Sequence, residues 1–449
     1  MLRKERTPCA IKPNVSIYED VMRSQSNTSS IFKNMAVLAS GTGIAKLVGL
    51  LSIPIITRIY TPEHMGVLAV FTALVALIVP IGTLRYSVAL PLPRNDRLAV
   101  NLAVLCIALL VGMSFFSALI LWLLADPVLQ MLNMQALLPY WWLLIIAIVG
   151  AGFYEILTQW ATREKAFKPL AKTKVWQSTI GAIVKISLGL AGLKPLGLLI
   201  GQVVTQAGGI LSLSLGFYQN FWANLPHVSR DRMIFLFKRY ADFPKFRLPS
   251  QFLLVFSSQT PLLFSAWLFG AETTGQLGLA LMALALPIAL FGQTTGQAYY
   301  AEIAKVGKKN PEKIYKITRN VTKKLLFLSL PPFLILLIFG PILFEITFGA
   351  QWRQAGVFAS ILAIYLLAQF VSSPLVNILS VFGRQWIFLR INIVRSIGIL
   401  FVFCLARFWD FSPVITLGIY AFALSVHYFF TAVTVINIVR RECVIKCNI

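Results

Sequence analysis

The residues whose chemistry most needs explaining are seven charges set inside apolar runs. Lys46, Arg85, Lys185, Arg390 and Arg395 are the cations, and Glu155 and Glu345 are the acids. An ionised side chain at the centre of a bilayer costs about 2.5–3.5 kcal/mol, so each needs a partner, water or an escape to the interface. Five cations against two acids leave at least three unmatched. That excess points to an anionic ligand, and phosphate or pyrophosphate suits Lys and Arg well. Gln159, Gln177, Gln202 and Gln206 fall in the same runs as amide donors, with Tyr154 and Trp160 able to stack on sugar rings. Each such polar residue also serves to hold helix to helix.

Depth separates the cations. Lys46, Lys185 and Arg395 fall near the middle of their runs, beyond the reach of snorkelling. Arg85 stands about two turns from the end of its run and Arg390 about one. Five residues separate Arg390 from Arg395, hence about 140° around a helix, so the two need not face one space. Glu155 is the candidate for a protonatable coupling partner. A catalytic site is not expected: the acids Glu63, Asp126, Glu272 and Asp410 lie one per short outer loop, too scattered to gather at a water-facing centre. Five cysteines, Cys9, Cys106, Cys404, Cys443 and Cys447, show no metal-ligand spacing with His or carboxylates. No metal is expected.

Long apolar elements must position these groups. The 449 residues are 58% hydrophobic and only 12% charged, about half the charge of a soluble domain. A helical span needs roughly 20 apolar residues, and about twelve such runs lie near 34–57, 66–90, 98–124, 139–161, 174–192, 195–218, 247–270, 274–299, 322–347, 355–380, 386–406 and 412–438. The predicted fold is an all-α polytopic membrane protein with two six-helix bundles around a central cavity. Of the 40 Lys and Arg, 31 fall in alternate connections taken as cytoplasmic, which explains most of the formal charge of +24. This skin fits anionic lipid headgroups. Nucleic acid is not an expected partner, because the basic residues are spread between apolar runs instead of covering one polar face.

The expected organisation is a polar cytoplasmic N-terminus at 1–30 with no cleavable signal, a bundle at 31–218, a basic linker at 219–246, a second bundle at 247–438 and a cytoplasmic tail at 439–449. In the linker, Arg230, Arg232, Lys238, Arg239 and Lys245 surround Met233–Phe237, the pattern of an interfacial helix. Even numbers of spans on each side give the halves one orientation, a parallel repeat. A weak internal echo agrees with this, Gly66-Val-Leu-Ala-Val-Phe in the second run against Gly275-Gln-Leu-Gly-Leu-Ala in the eighth.

Three stretches of the first third carry a resemblance: Asn34 to Val48 through Ser40-Gly-Thr-Gly-Ile-Ala-Lys46, Pro54 to Gly66 through Arg58-Ile-Tyr60-Thr-Pro-Glu63, and Leu84-Arg85-Tyr86-Ser-Val-Ala-Leu-Pro-Leu-Pro93. With Gln159-Trp160 leading into Arg163-Glu-Lys-Ala-Phe167, Gly197-Leu-Leu-Ile-Gly201-Gln202 and Phe348-Gly-Ala-Gln-Trp352-Arg-Gln-Ala-Gly356, the chain resembles the polysaccharide-biosynthesis (Wzx-type) flippases of the multidrug/oligosaccharidyl-lipid/polysaccharide exporter superfamily. The resemblance implies movement of an undecaprenyl-pyrophosphate-linked oligosaccharide (an O-antigen, capsule or exopolysaccharide unit) to the outer leaflet of a bacterial inner membrane by alternating access. Cytoplasmic termini follow from the basic connections and the even number of runs, no enzyme activity is expected, and no cofactor is expected beyond a proton or sodium gradient. The partners implied by the resemblance are the lipid-linked glycan, a polysaccharide polymerase and chain-length proteins. The expected substrate-binding set is Lys46, Arg85, Tyr86, Gln159, Lys185, Arg390 and Arg395. Relatives place Glu after the Arg-Tyr pair, whereas this chain has Ser87. The alternative is a cation-coupled multidrug exporter, which needs membrane acids that the first and seventh runs lack.

Overall fold

The computed structural model describes residues 15–287, 293–307 and 310–447. They form fifteen helices, with no strand among the described residues: α1 (Val15–Ile59), α2 (Pro62–Gly82), α3 (Asp96–Met131), α4 (Trp141–Arg163), α5 (Phe167–Leu190), α6 (Leu196–Ala207), α7 (Ile210–Asn224), α8 (Arg230–Arg239), α9 (Leu248–Pro287), α10 (Gln293–Val306), α11 (Pro311–Phe348), α12 (Arg353–Leu375), α13 (Asn377–Val381), α14 (Gln385–Phe408) and α15 (Pro413–Cys447). Most of the N-terminal segment expected at 1–30 and part of the eighth run lie outside the described residues or their side chains.

Among the described residues, ten segments are long and apolar enough to cross a membrane. Phe243–Ala285 is one of them, but Gly270 interrupts it with a φ of 78°, a left-handed conformation that glycine adopts without a Cβ clash. Gly270 therefore closes one crossing, and residues 271–287 begin the next. α5 is a further crossing: it is 24 residues long and packs between α1 and α6, but its Lys168, Lys172, Lys174 and Lys185 keep it below that apolarity. With α5 and the two arms on either side of Gly270, the described residues account for the twelve runs expected from the sequence, the eighth in part.

These crossings make a multi-pass membrane protein of two bundles. α1 to α7 pack on one another, as do α9 to α15, and the bundles meet chiefly where α2 lies along α9. Small residues allow the close crossings, as membrane packing requires. A Cβ on Gly181 would strike Thr205 between α5 and α6, and one on Gly340 would strike Ser360 between α11 and α12. Large apolar side chains such as Phe115, Phe327, Phe401 and Phe422 stand exposed on the outer faces, where lipid rather than water is the compatible solvent.

Two run boundaries move. The second run, read to 90, stops as a helix at Gly82, because Leu84 and Arg85 take positive φ and Tyr86–Ala89 form a 3-10 turn. The sixth divides into α6 and α7 at Gly208-Gly209. Within the basic linker, α8 follows and a π turn at Phe243–Arg247 leads into α9. The side of the protein carrying α8 is called the linker side below.

Candidate functional site

On the linker side, the turn after α2 places Arg85 opposite α4. Its Nη1 donates to Glu155 Oε1 at 2.8 Å, with both side chains largely buried. Ser87 Oγ donates to the same oxygen at 3.0 Å and receives a bond from Thr83 Oγ1 at 3.1 Å. Arg85 has φ 62°, a conformation costly for a side chain with a Cβ and one that persists only where the surroundings hold it. The ion pair and the 3-10 turn supply that hold. Arg85 Nε is buried and makes no hydrogen bond. Tyr86 faces away from this pair: it is fully buried, donates to the Phe237 carbonyl of α8 at 2.9 Å and stacks on the Phe237 ring at 5.3 Å. Its hydroxyl is committed to the linker helix.

Farther into the same bundle the cations are lysines. Lys46 lies mid-span on α1, in the electrostatic field of Lys174 on α5, and Lys174 Nζ donates to Thr42 Oγ1 at 3.4 Å. No carboxylate among the described residues pairs with either. Ser178 Oγ donates to the Ala45 carbonyl at 2.6 Å, fixing α5 on α1 beside Lys46. Gln159 is half-buried on α4, while Gln177 on α5 is buried with its amide nitrogen unpaired. Lys185 stands nearer the far end than its place in the run suggested, because α5 begins at Phe167 and ends five residues beyond it. Its Nζ donates to Gln202 Oε1 on α6 at 2.8 Å, and its carbonyl accepts from Tyr60 Oη at 2.8 Å. Burial pushes the Tyr60 phenol up to about 12, so Tyr60 donates as a neutral group.

The remaining two cations lie in the other bundle. Arg390 is exposed on α14, five residues from its start, a depth from which a guanidinium reaches the interface. Arg395 is half-buried against α15. Glu345 is paired outward, to Arg353 at 3.5 Å. Of the eight residues expected to act in substrate binding or coupling, only Arg85 and Glu155 are joined by a side-chain bond; Tyr86 is bound to α8, Gln159 lies on α4, Lys46 on α1 near Thr42, Lys185 against Gln202, and Arg390 and Arg395 at separate places on α14. Sequence reading missed Lys174, at the very start of the fifth run, and His427, which lines a cavity with Arg395.

It also missed how the bundles lock on the side opposite the linker. Gln351 Nε2 donates to the Thr57 carbonyl at 2.7 Å, and Trp352 Nε1 donates to the same carbonyl at 2.9 Å. Gln276 joins them, donating to the Gln351 carbonyl at 2.7 Å and accepting from the Ala355 amide at 2.9 Å. Gly349 permits this approach, with a φ of 111° where α11 stops. Beside the lock, α2 and α9 touch backbone to backbone: a Cβ on Gly66 would strike the Ala271 carbonyl, and one on Gly275 the Pro62 carbonyl. The two glycines that open the internal echo thus meet across the interface.

Two membrane bundles, joined by a linker helix and held together on the side opposite it by side-chain hydrogen bonds and a glycine crossing, define a two-bundle membrane fold. Residues 55–357 match the family model described as polysaccharide biosynthesis protein, and the chain belongs to that family. Among solved structures it is similar to the lipid II flippase MurJ in an inward closed conformation, with a TM-score of 0.67 and 12% identity over 89% of this chain and 87% of that one. It is also similar to a multidrug resistance MATE family transporter of the MOP superfamily in an inward-facing conformation, with a TM-score of 0.55 and 16% identity over 91% and 94% of the two chains. At these identities the likeness is one of fold. A comparison with curated proteins found no match.

Proposed function

We propose that this protein is a flippase that carries an undecaprenyl-pyrophosphate-linked oligosaccharide from the cytoplasmic to the outer leaflet of a bacterial inner membrane, the two bundles rocking about α2 and α9. One observation carries this reading beyond the family: Lys46 on α1 and Lys174 on the packed helix α5, which reaches Thr42 one turn from Lys46, have no carboxylate paired to either among the described residues. Two lysines on packed helices with no paired carboxylate suit a diphosphate and repel a cation. The polyprenyl chain stays in lipid while the pyrophosphate is neutralised by the lysines, with Arg85 available when its pair with Glu155 opens. Glu155, shared by Arg85 and Ser87, is the candidate carrier of a coupling proton, with sodium the alternative ion. A cation exporter needs an acid free for its cargo, whereas Glu155 is engaged by Arg85 and Glu345 by Arg353.

The test is export in a strain deleted for the gene. Such a strain should accumulate lipid-linked glycan on the inner leaflet, and the intact chain should clear it. Lys46→Ala with normal membrane levels should reduce export at least tenfold. Full export by that variant would remove Lys46 from the mechanism, and no accumulation in the deletion strain would overturn the function itself.

A further inference from the structure

The second bundle holds a cation that the first bundle's chemistry does not explain. Arg395 lies thirteen residues from the end of α14 at Phe408, and His427 fourteen residues from the start of α15 at Pro413. The helices run antiparallel, so both side chains stand about 20 Å in from that end, at mid-membrane. Between them is a cavity of about 360 Å³, lined by Arg395, His427 and Tyr420 with Ile399, Leu424 and Phe430. Arg395 Nε and His427 Nε2 are both buried and both lack a hydrogen-bond partner. The other electrostatic neighbours of Arg395 are the phenols of Tyr365 and Tyr420, and no carboxylate pairs with it among the described residues.

A guanidinium held in this setting requires a countercharge, and two orphaned nitrogens on one cavity require an acceptor. We propose that this cavity binds one small monovalent anion, chloride in the cell, between Arg395 Nε and the Nε2–H tautomer of His427. Charge selects the class. One guanidinium beside a neutral imidazole balances a single negative charge, whereas a phosphate dianion would leave a net negative site and would need more donors than the apolar walls offer. The volume leaves room for water to complete the anion's shell. The site lies within the second bundle, between α14 and α15, and its occupancy is independent of the flippase reading.

The experiment uses the full chain in lipid nanodiscs, without glycan, and follows unfolding by tryptophan fluorescence while potassium chloride replaces potassium gluconate at fixed ionic strength. The expected result is a saturable rise in Tm. Bromide should reproduce it, and potassium phosphate should not. Arg395→Gln and His427→Phe should each raise the half-saturating concentration at least tenfold, while Arg407→Gln, an exposed arginine on the same helix, should leave it unchanged. A rise that does not saturate, an unchanged midpoint in Arg395→Gln, or an equal response to phosphate would each overturn the proposal. Should Arg395→Gln fail to fold, crystals of the unaltered protein grown in bromide decide: an anomalous peak between Arg395 and His427 is expected, and peaks elsewhere only would mark an adventitious ion only and overturn the assignment.

Discussion

Arg85, Ser87 and Glu155 show what single residues settle. A carboxylate at position 87 would lie at hydrogen-bond distance from Glu155, where two like charges oppose each other; with Ser87 the pocket holds one acid and gains a hydroxyl donor. Replacing Ser87 with Ala should cost about 1 kcal/mol, the net worth of one such bond, read as a small drop in Tm. Arg85→Gln and Glu155→Gln should each cost more, because each leaves a largely buried charge without its partner. The double substitution should recover part of that loss, with a coupling energy of about 1–3 kcal/mol in a double-mutant cycle. Strictly additive losses would mean that the pair contributes nothing to folding. Sequence alone marked Arg85 and Glu155 as charges out of place but could not join them, since they are 70 residues apart and the turn that brings them together hides in an apolar stretch.

At the scale of elements, the runs were legible because apolar length is a one-dimensional property. Their ends were less so. Thr83 to Ala89 reads as a continuation of α2, yet its backbone turns, and nothing in the hydropathy of Leu84 marks its positive φ. Gly66 and Gly275 were visible as an echo; that they oppose each other is a fact of packing. Gly275→Val should force α2 from α9, since its Cβ has no space beside the Pro62 carbonyl, and overpacking of this kind costs typically 1–3 kcal/mol. A reduced level of folded protein is the expected readout, whereas Gly43→Val, at a position with open space around it, should be tolerated. The linker helix belongs to the first bundle: besides Tyr86, Asn101 fastens it, donating to the His227 carbonyl and accepting from the Ser229 amide. Motion between bundles is then left to the π turn at Phe243–Arg247 and to the α2–α9 contact.

For the whole molecule, the lock at Thr57, Gln276, Gln351 and Trp352 places this conformation with its far end shut. The stretches that carried the family resemblance, Pro54 to Gly66 and Phe348 to Gly356, turn out to face each other there; sequence gave each a family likeness but no hint of contact, for they lie almost 300 residues apart. Removing the lock should favour the state open on that side: with a single cysteine placed at Arg58, Gln351→Ala should raise the rate of labelling by a membrane-impermeant thiol reagent applied from the lock side, and an unchanged rate would deny the contact a gating role. The bonds of this seal that cross between the bundles run from the Gln351 amide and the Trp352 indole to the backbone carbonyls of Thr57 and Tyr60, and none of these groups is ionised. Screening by salt acts on charges, and a membrane potential does work only on charge that moves through it. The seal opposite the linker should therefore hold equally in dilute and in salty surroundings and on an energised or a discharged membrane, leaving its opening to whatever occupies the protein.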